Sequence, residues 1–452
     1  MAAHSAASLR QTLQRGGGSV LVLTACLLLA AHALRAGDTG LALCFAGTAG
    51  FAFCRAAWKR LAVAAVLACG VLEWLHAAWW LILLRRWLEQ PWGRAAVILC
   101  AVAAFTAVAA WRAFCQGRRL AGPEGLAPAL TQAAVFAGLF AALYVVRRHA
   151  PVPMLMLERL APAVGGVQLF LVAWYAGALT GALLDPVRTR KARQWAWRLF
   201  CGVFFAQFAL GAAGLTAFLL SGRLHAPIPA FIVYGPFYRE APGMMLVVAG
   251  LSVIVLGSAW CSHLCYFGPL DALAAQGRPL RPLPRFWRRM RTWGRPLVLA
   301  AGALLALLLG RLGMDDAQAA ALAVAFGLGS LLIMALASRR LGGMIHCSAF
   351  CPMGLVVSLL ARLSPWRLAV DADRCDQCGA CERVCAYRAI TPASRAQGGS
   401  TWRCSLCRDC VGVCHRQAIT LRGPWMGPRT AWRVFVGLAA FLHGLFLGVA
   451  MV

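Results

Sequence analysis

Long apolar runs separated by short polar segments make up most of the chain, from residue 19 to residue 338 and again from residue 434. A run of about 20 apolar residues is long enough to cross a bilayer as a helix. The pattern predicts about eleven membrane-spanning helices, at residues 19–36, 39–57, 61–84, 95–114, 126–146, 165–184, 199–220, 243–260, 296–312, 317–338 and 434–452. No small-residue cleavage site precedes the second run, so we interpret the first run as a retained span.

Composition supports a membrane protein, because 61% of the residues are hydrophobic and only 13% are charged, unlike the average soluble domain. The net charge is +29, and the Lys and Arg residues lie mostly between apolar runs, where the positive-inside rule places cytoplasmic loops. This distribution argues against nucleic acid as a partner and makes the lipid bilayer the expected one. It predicts a cytoplasmic N-terminus and a cytoplasmic basic segment at 278–295, and an odd number of spans then leaves the C-terminus outside.

Eight of the nineteen cysteines lie in two copies of one spacing pattern. "CDQCGACERVCAYRAI" begins at Cys375 and "CSLCRDCVGVCHRQAI" begins at Cys404, with the same cysteine gaps and the same Ala-Ile ending. We call the cysteines of the first copy motif I (Cys375, Cys378, Cys381, Cys385) and those of the second copy motif II (Cys404, Cys407, Cys410, Cys414). The repetition indicates a duplicated unit.

The spacing Cys-x2-Cys-x2-Cys-x3-Cys is the one with which bacterial ferredoxins hold a 4Fe-4S cluster, the fourth cysteine ligating the neighbouring cluster. Zinc on paired Cys-x2-Cys units would leave the third and fourth cysteines of each motif without a role. Disulfides are not expected in the reducing cytoplasm. We therefore predict two 4Fe-4S clusters, one at site I (Cys375, Cys378, Cys381, Cys414) and one at site II (Cys385, Cys404, Cys407, Cys410).

Residues 371–421 resemble a two-cluster bacterial ferredoxin, which implies a small α+β module with all eight cysteines as ligands. One feature departs from that pattern. The proline that usually follows the fourth cysteine is Ala386 in motif I and His415 in motif II.

A second, shorter repeat follows two of the predicted spans. "CSHLCYFGPLDALAA" begins at Cys261 and "CSAFCPMGLVVSLLA" begins at Cys347. If each span continues as a helix, both sulfurs of a pair lie on one helix face, too far apart for an ordinary disulfide. The four thiols, which we call the core quartet (Cys261, Cys265, Cys347, Cys351), are candidates for a third iron-sulfur or metal centre, for redox-active thiols, or for structural packing.

Two Cys-x3-Cys motifs after membrane spans, followed by a two-cluster ferredoxin segment, resemble the NapH, MauN and NosR group of membrane polyferredoxins. The resemblance covers residues 188–421 and four spans. Pro352 follows the second pair as in this group, whereas Tyr266 replaces the proline after the first pair. The resemblance implies electron transfer between the quinone pool and a membrane-bound or periplasmic redox partner. We also predict a location in a bacterial cytoplasmic (inner) membrane, with the module on the side that the distribution of Lys and Arg marks as cytoplasmic.

The expected fold is an all-α polytopic membrane protein that carries a small α+β ferredoxin module. We predict four regions along the chain. They are a six-span region at 1–185 that matches no family, a four-span core with both Cys-x3-Cys motifs at 186–370, the ferredoxin module at 371–421, and a C-terminal transmembrane helix at 422–452.

Glu73 and His76 lie near the middle of the third predicted span. Ionisable residues at that depth are candidates for a quinone site or a proton path. The alternatives are a buried pair in which the two side chains hydrogen-bond to each other, or a span whose edge is wrongly placed.

The sequence favours an electron-transfer subunit of a quinol or quinone oxidoreductase system over a hydrolase or transferase. The basic segment 278–295 is a candidate surface for a soluble cytoplasmic electron carrier or for lipid headgroups. Two alternatives stay open. One is a metal-reducing assembly factor of the CcoG kind, whose similar motifs reduce copper, and the other is a redox sensor that signals through the N-terminal spans.

Overall fold

The computed structural model describes residues 2–161, 165–218, 227–241 and 243–449. Within these ranges, nine helices are long and apolar enough to cross a membrane. They are Gly18–Arg35, Ala57–Trp87, Gly93–His149, Gly165–Leu184, Thr189–Ala212, Met244–His263, Arg285–Arg311, Asp316–Leu341 and Pro428–Gly448. A mostly helical chain with many apolar spans is therefore present, but the predicted count of eleven is not confirmed.

The count differs from eleven at two places. Residues Gly93–His149 are helical on both sides of a kink at Gly122, whose dihedral angles (φ 64°, ψ 179°) are not helical. The predicted spans 95–114 and 126–146 lie on the two sides of this break. The predicted span 39–57 is the apolar helix Thr39–Phe53, which is shorter than the length needed to span a bilayer.

The predicted span 199–220 begins earlier than expected, because the structure has a helix at Thr189–Ala212. Its first turns carry Arg190 and Arg193, so this part of the helix is not an uncharged apolar run and was not included in the predicted span. Arg193 is nevertheless buried, since Asp409 lies beside its guanidinium. The last two residues of the predicted span lie outside the described residues.

The chain divides into two compact units, the first ending at Gly181 and the second covering Ala182–Val452. The helices of the first unit are Ala2–Arg35, Thr39–Gly50, Ala57–Trp87, Gly93–His149, Met156–Leu160 and Gly165–Leu184, the last of which runs across the division. Aromatic rings at Phe51 and Phe136 lie 5.7 Å apart in its core. Arg147 contacts Asp38 at 3.1 Å and Glu158 at 2.9 Å, which satisfies a partly buried guanidinium.

The second unit contains the predicted core, the ferredoxin module and the last helix. Its helices are Thr189–Ala212, Ala230–Arg239, Met244–Leu256, Trp260–His263, Gly268–Ala275, Arg285–Arg311, Asp316–Ile333, Arg339–Leu341, Pro352–Leu360, Ala380–Val384, Pro392–Ala396, Asp409–Gly412 and Pro428–Gly448. π-Helical turns occur at Met334–Ser338 and His346–Phe350. The two strands are Arg367–Val370 and Ile419–Arg422. The predicted four-region division stays a prediction.

The two strands bracket the cysteine motifs and join the module to the membrane core. They pair antiparallel, with Leu368 opposite Leu421. Just before the first strand, the indole of Trp366 donates a hydrogen bond to the carbonyl of Val255 at 2.8 Å. The same ring lies 5.5 Å from that of Phe435 on the last helix. The module is therefore packed against helices of the core rather than tethered by a linker.

The expectation that the spans continue as helices through the cysteine pairs is wrong. Cys261 lies on a separate short helix, Trp260–His263, and Cys265 follows its end. Cys347 lies in the π-helical turn His346–Phe350, and Cys351 has an extended backbone. Gly257 (φ 67°) and Gly342 (φ 71°) end the preceding helices in conformations that favour glycine. Sequence spacing alone therefore did not place the thiols.

Replacing Gly342 with alanine should destabilise the second unit by about 2 kcal/mol or more. The new Cβ would need a left-handed backbone and would meet the carbonyl oxygen of Pro279. Thermal unfolding of the detergent-solubilised protein measures the effect. Gly329→Ala is the matched control, because a Cβ at Gly329 meets no atom within 4 Å. Equal melting temperatures of the two variants would contradict the expectation.

Candidate iron-sulfur sites

The sequence repeat of the module is also a repeat of backbone conformation. Gln377 in motif I and Leu406 in motif II occupy matching positions with φ of 58° and 48°, and Gly379 and Arg408 match with φ of 71° and 66°. A left-handed backbone costs a residue with a side chain about 1–2 kcal/mol. Each motif then continues into a short helix, Ala380–Val384 or Asp409–Gly412. The two loops therefore fold alike, although Arg408 stands where the other copy has glycine.

Site I is a cavity at the surface of the module. The cavity is small, and its walls include three cysteines of motif I and the last cysteine of motif II (Cys375, Cys378, Cys381, Cys414). Cys378 is exposed and Cys381 is buried. These are the four thiols that the sequence assigns to one cluster. Thiolate sulfur is the donor that iron-sulfur clusters require, so the donor set fits such a group.

Charged side chains surround site I. Arg395 lines the cavity and forms an ion pair with Glu382 at 2.5 Å. His415 is exposed and contacts Asp376 at 2.8 Å at the rim. The ring of His415 therefore lies at the exposed edge of site I, close to the sulfur of Cys378.

Site II lies deeper in the second unit than site I. Burial and the neighbouring thiol of Cys407 raise the pKa of Cys404 to about 11. Burial and the carboxylate of Asp409 raise the pKa of Cys407 to about 11. The pKa of Cys410 is also raised, by burial and then by the thiols of Cys407, Cys404 and Cys385. These four thiols are therefore neighbours, and iron would have to displace their protons to bind them.

A buried arginine lies within motif II beside site II. Arg408 is only 2% exposed, and its guanidinium lies 4.2 Å from the ring centre of Trp432 and 5.2 Å from that of Phe435. Burial and the nearby Arg193 lower the pKa of Arg408 to about 9, so it keeps its charge at neutral pH. Within the described part of the chain, its Nε has no hydrogen-bond partner. Asp409 acts on this guanidinium only from a distance, and no described carboxylate forms an ion pair with it, so site II has an adjacent positive charge.

The core quartet comes together in the structure although its two pairs are 86 residues apart along the chain. Burial raises the pKa of Cys265 well above its ordinary value, and the thiols of Cys261 and Cys351 raise it further. The pKa of Cys347 is also raised, first by burial, then by the carboxylate of Asp271, and then by the other three thiols. The four thiols therefore lie close together in one buried region of the second unit.

Backbone N–H groups point at the second sulfur of each pair. The sulfur of Cys351 accepts a hydrogen bond from the amide of Gly354 at 3.3 Å, in the first turn of the helix Pro352–Leu360. The backbone amides of Phe267 and Gly268 act on Cys265 in the same way, at the start of the helix Gly268–Ala275. Amides at helix N-termini stabilise anionic groups, and N–H donors to sulfur also tune cluster potentials.

A buried arginine and a buried aspartate fix the second pair. The guanidinium of Arg295 donates hydrogen bonds to the carbonyl oxygen of Cys347, at 3.0 Å from Nε. Asp271 accepts one from the amide of Cys347 at 2.9 Å. Burial raises the pKa of this carboxyl to about 6. Among the residues that the structure describes, the other oxygen of Asp271 and Nδ1 of His346 have no partner.

Tyr387 lies between the core quartet and site II. It is 5% exposed, and its hydroxyl has no hydrogen-bond partner in the described ranges. Burial raises the pKa of Tyr387 well above its ordinary value, and the thiols of Cys347, Cys261, Cys265 and Cys407 act in the same direction. The hydroxyl is therefore near three thiols of the quartet and one of site II. No feature of the sequence pointed to this residue, apart from its position just after motif I.

The structure does not bring Glu73 and His76 together as a buried pair. Both residues are exposed on the surface of the first unit. Glu73 contacts His32 instead, at 3.6 Å, with 54% of the glutamate side chain exposed. The alternative of a buried pair that hydrogen-bonds to each other is therefore wrong, whereas the quinone or proton role stays a prediction.

Comparisons with known families point to iron-sulfur chemistry at motif I and at the core quartet. A family model described as a 4Fe-4S binding domain matches residues 368–390, which include motif I. Another model with the same description matches residues 241–288 and 321–370, each segment containing one pair of the core quartet. No curated protein and no solved structure matches the chain significantly. The chain therefore carries 4Fe-4S binding domains on a framework of helices that are long and apolar enough to span a membrane.

Proposed function

We propose that this protein passes single electrons between a cytoplasmic ferredoxin module and the quinone pool or a redox partner in or beyond the membrane. The observation that carries the proposal is the cavity at site I, where the last cysteine of motif II joins three cysteines of motif I. Two-cluster ferredoxins take the fourth ligand of each cluster from the other motif, whereas two separate zinc sites would not require this arrangement. A 4Fe-4S cluster, when bound, supplies one-electron transfer.

Two clusters would be held by site I and site II, and we propose a third centre at the core quartet. Three features support the third centre. Four thiols converge there, two helix N-termini direct amides at them, and a family model for 4Fe-4S binding matches both pairs. Redox-active thiols remain the alternative for this site, since the same features would also stabilise thiolates.

The order of the sites supports a path from the module into the membrane. Site I is at the surface, and site II is buried beside Tyr387. The hydroxyl of Tyr387 is also near thiols of the core quartet. Tyr387 and Trp197 pack together there in one buried cluster, which excludes water from the region between the two sites. Within this proposal, the protein lies in the bacterial inner membrane with its N-terminus and module in the cytoplasm and its C-terminus outside. Glu73 and His76 are the proposed quinone or proton residues of the N-terminal spans.

Electron paramagnetic resonance of the full-length protein, purified without oxygen in detergent, tests the proposal. Iron-sulfur signals of the dithionite-reduced protein should decrease when a soluble quinone analogue is added, or those of the oxidised protein should appear with its quinol. Iron-loaded protein whose signals respond to neither would contradict quinone coupling. Reduction of cupric ions in the absence of any response to quinone would favour the assembly-factor alternative.

A further inference from the structure

A basic cleft lies beside site II in the second unit. The helix Thr189–Ala212, the segment that follows the helix Gly268–Ala275, and the end of motif I contribute its walls. Five arginines line this cleft, which we call the basic cleft (Arg190, Arg193, Arg198, Arg278, Arg383). The acidic residue among its lining residues is Asp409.

The charge of the basic cleft is not neutralised by its own residues. Asp409 is already paired with Arg193 at 2.9 Å and lies 3.9 Å from Arg190. Arg198 and Arg278 are exposed, and Arg198 donates a hydrogen bond to the uncharged Gln276 at 2.6 Å. Guanidinium groups bind phosphate and carboxylate through two parallel hydrogen bonds. The excess of arginine over acidic residues therefore favours the binding of a ligand with an anionic group.

Buried groups in the cleft wall also point to a ligand. Arg193 is 5% exposed, and its Nε lacks a hydrogen-bond partner within the part of the chain that is described. Trp197, Met344 and Tyr387 are buried and pack together beside it. Concave sites with apolar walls and a few convergent polar groups are typical of small-molecule binding. A flat protein-docking face would not have this shape.

We propose that the basic cleft binds a small anionic ring compound bearing a phosphate or carboxylate group. Arg198 and Arg278 hold the anionic group, and the ring lies toward Trp197 and Tyr387. Cys407 of site II also lines the cleft, so a redox-active ring is the natural choice of probe. This site goes beyond the proposed function, because binding at the cleft does not require a cluster in site II.

Quenching of flavin fluorescence by the full-length protein tests the proposal. Flavin mononucleotide is the probe, and riboflavin, which has the same ring without the phosphate, is the control ligand. We expect flavin mononucleotide to bind at least about tenfold more tightly than riboflavin. The difference should shrink as the salt concentration rises, because exposed charges are screened.

Two double variants assign the binding to the cleft. Arg198→Gln with Arg278→Gln should weaken the binding of flavin mononucleotide about tenfold or more. Arg288→Gln with Arg289→Gln removes the same charge from exposed positions on the helix Arg285–Arg311, outside the cleft lining, and should change affinity by about twofold or less. Unchanged melting temperatures would show that both variants are folded.

Several outcomes would overturn the proposal. Equal affinities for the two flavins, or equal losses in the two double variants, would show that no anion site exists at the cleft. If a small acidic electron-carrier protein bound through Arg198 and Arg278 while neither flavin bound, the cleft would be a protein-docking surface instead. Iron and sulfide counts on the same samples separate this test from the proposed function. Protein that binds flavin mononucleotide but contains no iron would support the cleft site and contradict the proposed electron transfer.

Discussion

The Cys351→Ser variant, purified without oxygen, should contain about eight irons per chain, against about twelve in the unaltered protein, with four irons in each cluster. Serine can still accept the hydrogen bond from the amide of Gly354 that now ends on the sulfur, so the first turn of the helix Pro352–Leu360 keeps its cap. The change therefore removes a ligand of the core quartet with little effect on the local fold. Iron and acid-labile sulfide analysis measures the result.

Cys201→Ser is the matched control for this experiment. Cys201 is a buried cysteine on the helix Thr189–Ala212 and belongs to no repeat, so its replacement should leave the iron content unchanged. Cys378→Ser should lower the iron content through site I instead. An unaltered protein with only about eight irons, and a Cys351→Ser variant that has lost none of them, would show that the quartet holds no cluster.

The Arg408→Gln variant should lower the reduction potential of one iron-sulfur centre by an amount on the order of 100 mV, from the Coulomb energy of a nearby unit charge at an effective dielectric constant of about 20. Arg408 is a buried positive charge within motif II, and positive charge stabilises the reduced, more negative cluster. Arg408 has a left-handed backbone (φ 66°) at the position where motif I has glycine, so this side chain carries a conformational cost. A redox titration followed by electron paramagnetic resonance measures the potentials.

Two further variants separate charge from packing. Arg408→Lys keeps the charge and should restore most of the potential, although it cannot reproduce the stacking on Trp432. Arg374→Gln removes an exposed arginine of the same module, paired with Asp371 at 3.6 Å, and should shift the potentials by much less because solvent screens its charge. If Arg408→Lys lowered the potential as much as Arg408→Gln, packing rather than charge would be responsible.

Local patterns in the sequence were enough to identify the chemistry of the module. The gaps within motif I and motif II are short, so a single loop places three sulfurs around one site, and this requirement is written directly in the residue spacing. Apolar runs were likewise enough to predict membrane helices, because crossing a bilayer is a constraint on length and composition. The count was less certain, since the helix Gly93–His149 is broken at Gly122 and the helix Thr39–Phe53 is short.

The surroundings of the core quartet could not be predicted from spacing. Helical continuation was the reasonable expectation for cysteines four residues apart, but glycines at 257 and 342 end the helices before both pairs. Asp271, Arg295 and Tyr387 are far from one another along the chain, and only folding brings them near the quartet. The partner of Glu73 was missed for the same reason, because His32 lies on a different helix.

The amino-acid sequence by itself determined that this chain has many apolar helices and a duplicated cysteine module of the iron-sulfur type. Both features depend on neighbours along the chain, through hydropathy and short loops. Only the tertiary structure decided that four distant thiols converge, that Arg408 is buried beside site II, and that arginines from three segments line one cleft. Those features depend on how helices pack, and packing is set by contacts between residues far apart in the sequence.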